Sequence, residues 1–282
     1  MRKNHSFISC SFMILLVSFV HARPENNTSP LNQLKTLAAG HEPTRLMILG
    51  VFHIREMGDR FHSSMVQSLI SKLEHFKPDL IAVEVLSGDR IHELELRSDA
   101  TAIHQELLNG FASAQLELGH PAQEQLGLGM IQAARKLGEE KWGDAPRTLR
   151  HRALLNLAAY ELPSALLCWS YLPAEERIGD ELFPEDLAEK MNSQLALVNE
   201  VRQLAIPLAR ELGHRQIVGV DEFEDSMYCE LLLKADVFNR RSPLFKEVLN
   251  AGVYMESKRR KDNAVLIGDL LPAFAYLNTP EY

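Results

Sequence analysis

Two short apolar runs, residues 45–51 (Arg-Leu-Met-Ile-Leu-Gly-Val) and 80–86 (Leu-Ile-Ala-Val-Glu-Val-Leu), flank a single amphipathic stretch, and this arrangement constrains the chain most. Each run has strand length and is bounded by turn residues, as a strand buried in a sheet requires. Between them, Val66, Leu69, Ile70, Leu73 and Phe76 recur at helical spacing. Lys77-Pro78-Asp79 stops that helix, because the residue before a proline is pushed out of the helical region. Strand, helix and strand with short links make a βαβ unit. A third run, residues 216–221 (Gln-Ile-Val-Gly-Val-Asp), reads as another buried strand and ends in a carboxylate.

From about residue 91 to residue 212 the pattern is helical almost throughout. Stretches 92–118, 123–137, 149–171 and 185–212 each place an apolar side chain every three or four positions. In the last, Leu187, Met191, Leu195, Val198, Val201 and Leu204 form the stripe, and Pro207 is expected to kink it. Gly119, Gly127 and Gly138 mark helix ends or close packing; no strand precedes them, so they do not form a phosphate loop. His120 and His214 each follow a glycine that reads as closing a helix. Further helices are expected over 225–235, 243–249 and 262–276. The fold class is therefore α/β: a small, mostly parallel central sheet with a large helical portion.

The first 22 residues read as a signal peptide. Arg2 and Lys3 supply a positive start, residues 8–20 an apolar stretch, and Val20-His21-Ala22 a cleavage site. That stretch falls short of the roughly 20 residues a spanning helix needs. An uncleaved N-terminal anchor is the alternative. Cleavage would leave a protein with no integral membrane segment, in the periplasm or outside the cell. Residues 23–44 read as a flexible lead-in and a short helix opened by Ser29-Pro30 and closed by Gly40, and residues 45–282 as one domain. Losing Arg2 and Lys3 takes the net charge from −8 to −10, which disfavours nucleic acid and anionic lipid as partners. The cluster Lys258-Arg259-Arg260-Lys261 then reads as a solvated helix face or turn. Cys168 and Cys229 remain after cleavage. Export would permit a disulfide between them, but the apolar run around Cys168 favours unpaired thiols.

The residues that could do chemistry sit at strand ends. His53 follows the first strand, Glu84 lies within the second, and Asp221 ends the third. Ligands in α/β sheets bind beyond the carboxyl ends of parallel strands, so neighbouring strands would bring all three together. A glutamate inside Ile-Ala-Val-Glu-Val is costly to bury unless it is paired or bound to a cation, and His53 is its expected partner. A structural ion pair or helix cap is the alternative for Glu84, and a helix cap for Asp221. His62, near His53 in sequence, is an outside candidate ligand. There is no Gly-x-Ser-x-Gly elbow, Walker loop or His-Glu-x-x-His helix, which disfavours a serine-triad hydrolase or nucleotide enzyme.

The segment Leu49-Gly-Val-Phe-His53, a helix, then Lys77-Pro-Asp-Leu-Ile-Ala-Val-Glu84 resembles the N-terminal signature of the TraB/GumN and Tiki superfamily. That group includes erythromycin-esterase-like and haem-binding ChaN-like proteins, and the likeness is to a bacterial branch of it. Further matching features are Glu124-Gln-Leu-Gly127, Leu157-Ala-Ala-Tyr-Glu161, Ser164-Ala-Leu-Leu-Cys-Trp169 and Val218-Gly-Val-Asp221. The resemblance implies an α/β fold with His53 and Glu84 in a central pocket. It also implies a hydrolase acting on a peptide or ester of a small molecule or peptide. A divalent metal ion would be held by His53, Glu84 and Asp221, or by His62 in place of Asp221. A non-catalytic binding or signalling protein with a degenerate site is the alternative. Such proteins end in a Gly-x-Gly-His type motif, which does not occur before Tyr282. The resemblance thus reads this as a truncated chain or an incomplete site.

Overall fold

The computed structural model describes residues 12–17, 45–97, 102–221 and 242–280. The cleavage site, the short helix after Pro30, the helix over 225–235 and Cys229 lie outside the described residues.

Four strands form one sheet: β1 (Phe12–Val17), β2 (Leu46–Val51), β3 (Leu80–Leu86) and β4 (Val218–Asp221), in the order β2-β1-β3-β4. β1 runs antiparallel to both of its neighbours, with Ile14 opposite Leu49 on one side and Val83 on the other. β3 and β4 are parallel, Val83 facing Gly219 and Leu86 facing Asp221 across an irregular stretch. β2, β3 and β4 therefore point the same way, as a βαβ reading requires. β2 and β3 are not neighbours, because β1 lies between them. Its sequence, Phe-Met-Ile-Leu-Leu-Val, explains the insertion: six apolar residues without glycine, proline or charge suit a strand, and two neighbours satisfy its backbone along both edges.

The outer edge of β2 is closed by a side chain. Gly50 stands opposite Met13, and its N–H and carbonyl turn away from β1. The Gly50 N–H donates to Asn278 Oδ1 at 2.8 Å, and Asn278 Nδ2 donates to the Gly50 carbonyl at 2.8 Å. The amide thus replaces one step of a strand and blunts an edge that would otherwise invite pairing.

After β2 come two 3₁₀ turns, Ile54–Arg60 and Ser63–Val66, then α1 (Gln67–Phe76). α1 buries Leu69, Ile70 and Leu73 and stops at Lys77, whose φ of 48° is left-handed. The helical portion follows β3 as α2 (Gly88–Arg97), α3 (Ala102–Leu107), a π turn (Leu108–Ala112), α4 (Ser113–Leu126), α5 (Met130–Glu139), α6 (Pro146–Ala158), α7 (Leu162–Tyr171) and α8 (Glu185–Leu195). A π turn (Val201–Ala205) runs into α9 (Ile206–Glu211); α10 (Pro243–Leu249), α11 (Gly252–Ile267) and α12 (Leu271–Leu277) complete the chain. No described helix is long and apolar enough to cross a membrane. The basic cluster lies on α11, where Arg259 and Arg260 pair with Glu256.

Several expected helices are divided. The stretch 149–171 breaks at Tyr160, which has a φ of 60°, and the stretch 185–212 breaks after α8. Gly268, with a φ of 73°, divides α11 from α12 where one helix over 262–276 was expected. Apolar spacing does not reveal the first break, because nearly all of α7 and the second half of α6 are buried on every side. Gly119 does not end a helix; it sits inside α4, and a Cβ there would lie 2.5 Å from the Tyr160 ring. Gly127 does end α4, with a φ of 63°. Tyr160 is held from its other end, its hydroxyl donating to Glu95 Oε2 at 2.9 Å, while His120 Nε2 meets Glu95 Oε1 at 2.7 Å.

Candidate functional site

His53 owes its position to the end of β2. Val51 is fully buried, Phe52 stacks on Phe274 at 4.6 Å between ring centroids, and His53 is extended (φ −63°, ψ 107°) before the first 3₁₀ turn. The next residue, Ile54, has no exposed surface. The apolar residues on either side fix the backbone and leave the imidazole half-buried at the rim of the core.

The carboxylate that meets it is Glu200. Its Oε1 accepts the Ile54 N–H at 2.6 Å and lies 3.4 Å from His53 Nδ1. Glu200 is 3% exposed, which makes it one of the few buried acidic groups among the described residues. Local sequence places it there. Asn199 accepts the Arg202 N–H on Oδ1 at 3.0 Å and caps the turn that Glu200 begins. Val201, Leu204 and Ala205 are buried behind it and pin that turn to the core. An acidic group in the first turn is favoured by the helix dipole. The Arg202 guanidinium is largely buried; desolvation pushes its pKa down to about 10, while the Glu200 charge acts in the opposite sense.

Glu84 and Asp221 occupy the same end of the sheet. The row Leu49, Ile14, Val83 and Gly219 crosses all four strands. Glu84 follows Val83 in the irregular stretch before Leu86, and Asp221 stands opposite Leu86. His53, Glu84 and Asp221 therefore lie toward the carboxyl ends of three strands that share a direction, and both carboxylates are half-buried. By the pleat, Glu84 belongs to the face opposite Val83. His62 is exposed at the start of the second 3₁₀ turn.

Sequence reading missed Glu200 because a single helical stretch over 185–212 hides the break from which this residue starts a new turn. The signal that could have found it is Asn199, a capping residue in mid-stripe. Cys168 is a free thiol with no exposed surface, and burial pushes its pKa up to about 12, so it is no candidate nucleophile.

A catalytic zinc site usually has three protein ligands. Among the described residues, no group of three or more His, Cys, Asp or Glu side chains is gathered closely enough to hold such an ion. His53 and Glu200 supply two donors, and no step below is routed through a metal. Comparison of the chain with family models, curated proteins and solved structures finds no match.

Proposed function

We propose that this chain is an exported hydrolase of the TraB/GumN and Tiki type that cleaves an ester or peptide bond with His53 as general base. The observation that carries the reading is the His53–Glu200 pair: a buried carboxylate held by a backbone N–H and set against one nitrogen of a partly exposed imidazole. A carboxylate at Nδ1 favours the Nδ1–H tautomer and leaves Nε2 as the basic nitrogen. In the proposed reaction, Nε2 removes a proton from water as the oxygen adds to the substrate carbonyl. The imidazolium then returns that proton to the leaving alkoxide or amine, and the carbonyl re-forms. Glu200 is a positioning residue; its charge stabilises the imidazolium while its bond to Ile54 prevents it from rotating away. Glu84 and Asp221, at the ends of the following parallel strands, are the proposed substrate-facing carboxylates.

The test is hydrolysis of a panel of p-nitrophenyl esters and chromogenic peptides by the unaltered protein, His53→Ala, Glu200→Gln and Glu84→Gln. Loss of turnover is expected in His53→Ala, with a drop of roughly 10²- to 10⁴-fold in Glu200→Gln. Glu84→Gln is expected to lower turnover without lowering the melting temperature. Unchanged turnover in His53→Ala would overturn the assignment. A chelator arm reports whether a divalent cation contributes to the rate.

A further inference from the structure

Three arginines, among them Arg202 two residues beyond Glu200, converge on one cleft. It has a volume of about 290 Å³, and Ser170, Arg177, Arg202, Pro207, Arg210 and Glu211 are among its lining residues. The arginines come from three separate places: the loop after α7, the π turn and α9. Three guanidinium groups against one carboxylate leave the lining with two net positive charges, in a chain whose overall charge is −8.

The guanidinium groups are built into the fold yet not used up by it. Arg177 donates from Nε to the Leu172 carbonyl and from Nη2 to the Ser170 carbonyl, both at 3.0 Å. Arg202 donates from Nε to the Gln194 carbonyl at 3.2 Å and from Nη2 to Gln194 Oε1 at 2.8 Å. These bonds fix both planes by one edge. A guanidinium has five N–H donors, so each retains an Nη1 group with no acceptor among the described residues. Arg210 lies over the Tyr171 ring, its Cζ 5.9 Å from the centroid. None of the three makes an ion pair with a described carboxylate, although such pairs are common elsewhere on the chain. Burial and, after it, repulsion by Arg210 lower the Arg177 pKa, while the Glu175 charge acts in the opposite sense. Arg202 is largely buried while Arg177 and Arg210 are more open, and like charges lining one cleft are costly unless an anion completes them.

We propose that this cleft is a binding site for a phosphoryl group, either free phosphate or a phosphate monoester. A phosphate carries about −1.5 to −2 charges near neutral pH, which matches the two net charges of the lining. Its several acceptor oxygens suit guanidinium forks that approach from different elements. The volume accommodates a phosphate with a small substituent.

The test is isothermal titration of the full-length protein with sodium phosphate and with phenyl phosphate, against sodium chloride and sodium acetate at matched ionic strength. One phosphate per chain is expected. Arg210→Gln and Arg177→Lys are each expected to weaken it roughly tenfold to a hundredfold, from loss of a charge-assisted bond. Arg210 is exposed, so its replacement leaves the core intact. Arg135→Gln, exposed on α5, is expected to leave binding unchanged, as is His53→Ala, which separates this inference from the hydrolase reading. Binding of both phosphates assigns a site for the phosphoryl group in general, and binding of the inorganic ion alone assigns a free-ion site. No binding, binding equalled by chloride or acetate, or phosphate binding that survives both arginine variants would each overturn the proposal.

Discussion

Replacing Gly119 by alanine sets two effects of opposite sign against each other. Inside an α-helix the change normally stabilises, by up to about 1 kcal/mol, because glycine loses more backbone freedom on folding. Here the new Cβ would lie 2.5 Å from Cδ1 and Cε1 of Tyr160 and 2.9 Å from the Leu157 carbonyl oxygen. Neither neighbour yields easily. The ring is tied by its hydroxyl to Glu95 and stands on backbone at positive φ, and the carbonyl belongs to the end of α6. Overpacking of this kind costs about 1–3 kcal/mol, so the net effect should be a loss of about 1–2 kcal/mol. For a chain of this size that lowers Tm by roughly 2–4 °C. Gly138 in α5 is the control, since a Cβ there meets nothing within 4 Å. Its alanine variant should gain about 0.5–1 kcal/mol. Thermal melts and urea titrations of the three proteins measure both. A Gly119→Ala protein as stable as the unaltered one would show that the Tyr160 junction gives way freely, and the packing argument would fall.

Other outcomes follow from burial and hydrogen bonding. Glu161 accepts the Gly88 N–H at 2.9 Å, and its pKa is raised chiefly by burial. A carboxyl with a raised folded-state pKa favours the folded state while protonated, and that contribution is lost as pH rises from about 4.5 through the folded value. Glu161→Gln keeps the acceptor, so its stability relative to the unaltered protein should improve with rising pH across that window. A difference that does not vary with pH would contradict the burial argument. The Cys168 thiol, buried with its pKa near 12, should resist alkylation until denaturant unfolds the chain, as peptide mapping by mass spectrometry would report. Labelling under native conditions would mean the core around α7 opens. If export removes residues 1–22, the mature chain begins at Arg23 and lacks β1. β2 and β3 already run in one direction, so they are expected to pair directly and keep the amides of Leu49 and Val51 protected from hydrogen exchange. Fast exchange at both would show that the sheet does not close.

What the sequence made legible was the end of each strand. The runs at 45–51 and 80–86 became β2 and β3 because each is a short apolar stretch between turn signals, and Lys77 stopped α1 as Pro78 required. The breaks within the helical portion were hidden. α6 and α7 are buried on nearly all sides, so their apolar pattern runs through Tyr160 without a change of phase. The same blindness concealed Glu200, which reaches His53 only because the chain stops and restarts at Asn199. The pairing of β1 was illegible for another reason: a run of six apolar residues suits an export signal and a central strand equally well.

The most direct measurement of the central claim is the tautomer of His53, read by ¹⁵N–¹H correlation NMR across the histidine titration. With Glu200 at Nδ1, the neutral ring should carry its proton on Nδ1 and leave Nε2 basic, and Glu200→Gln should weaken that preference. A neutral His53 protonated on Nε2, and indifferent to Glu200→Gln, would contradict it.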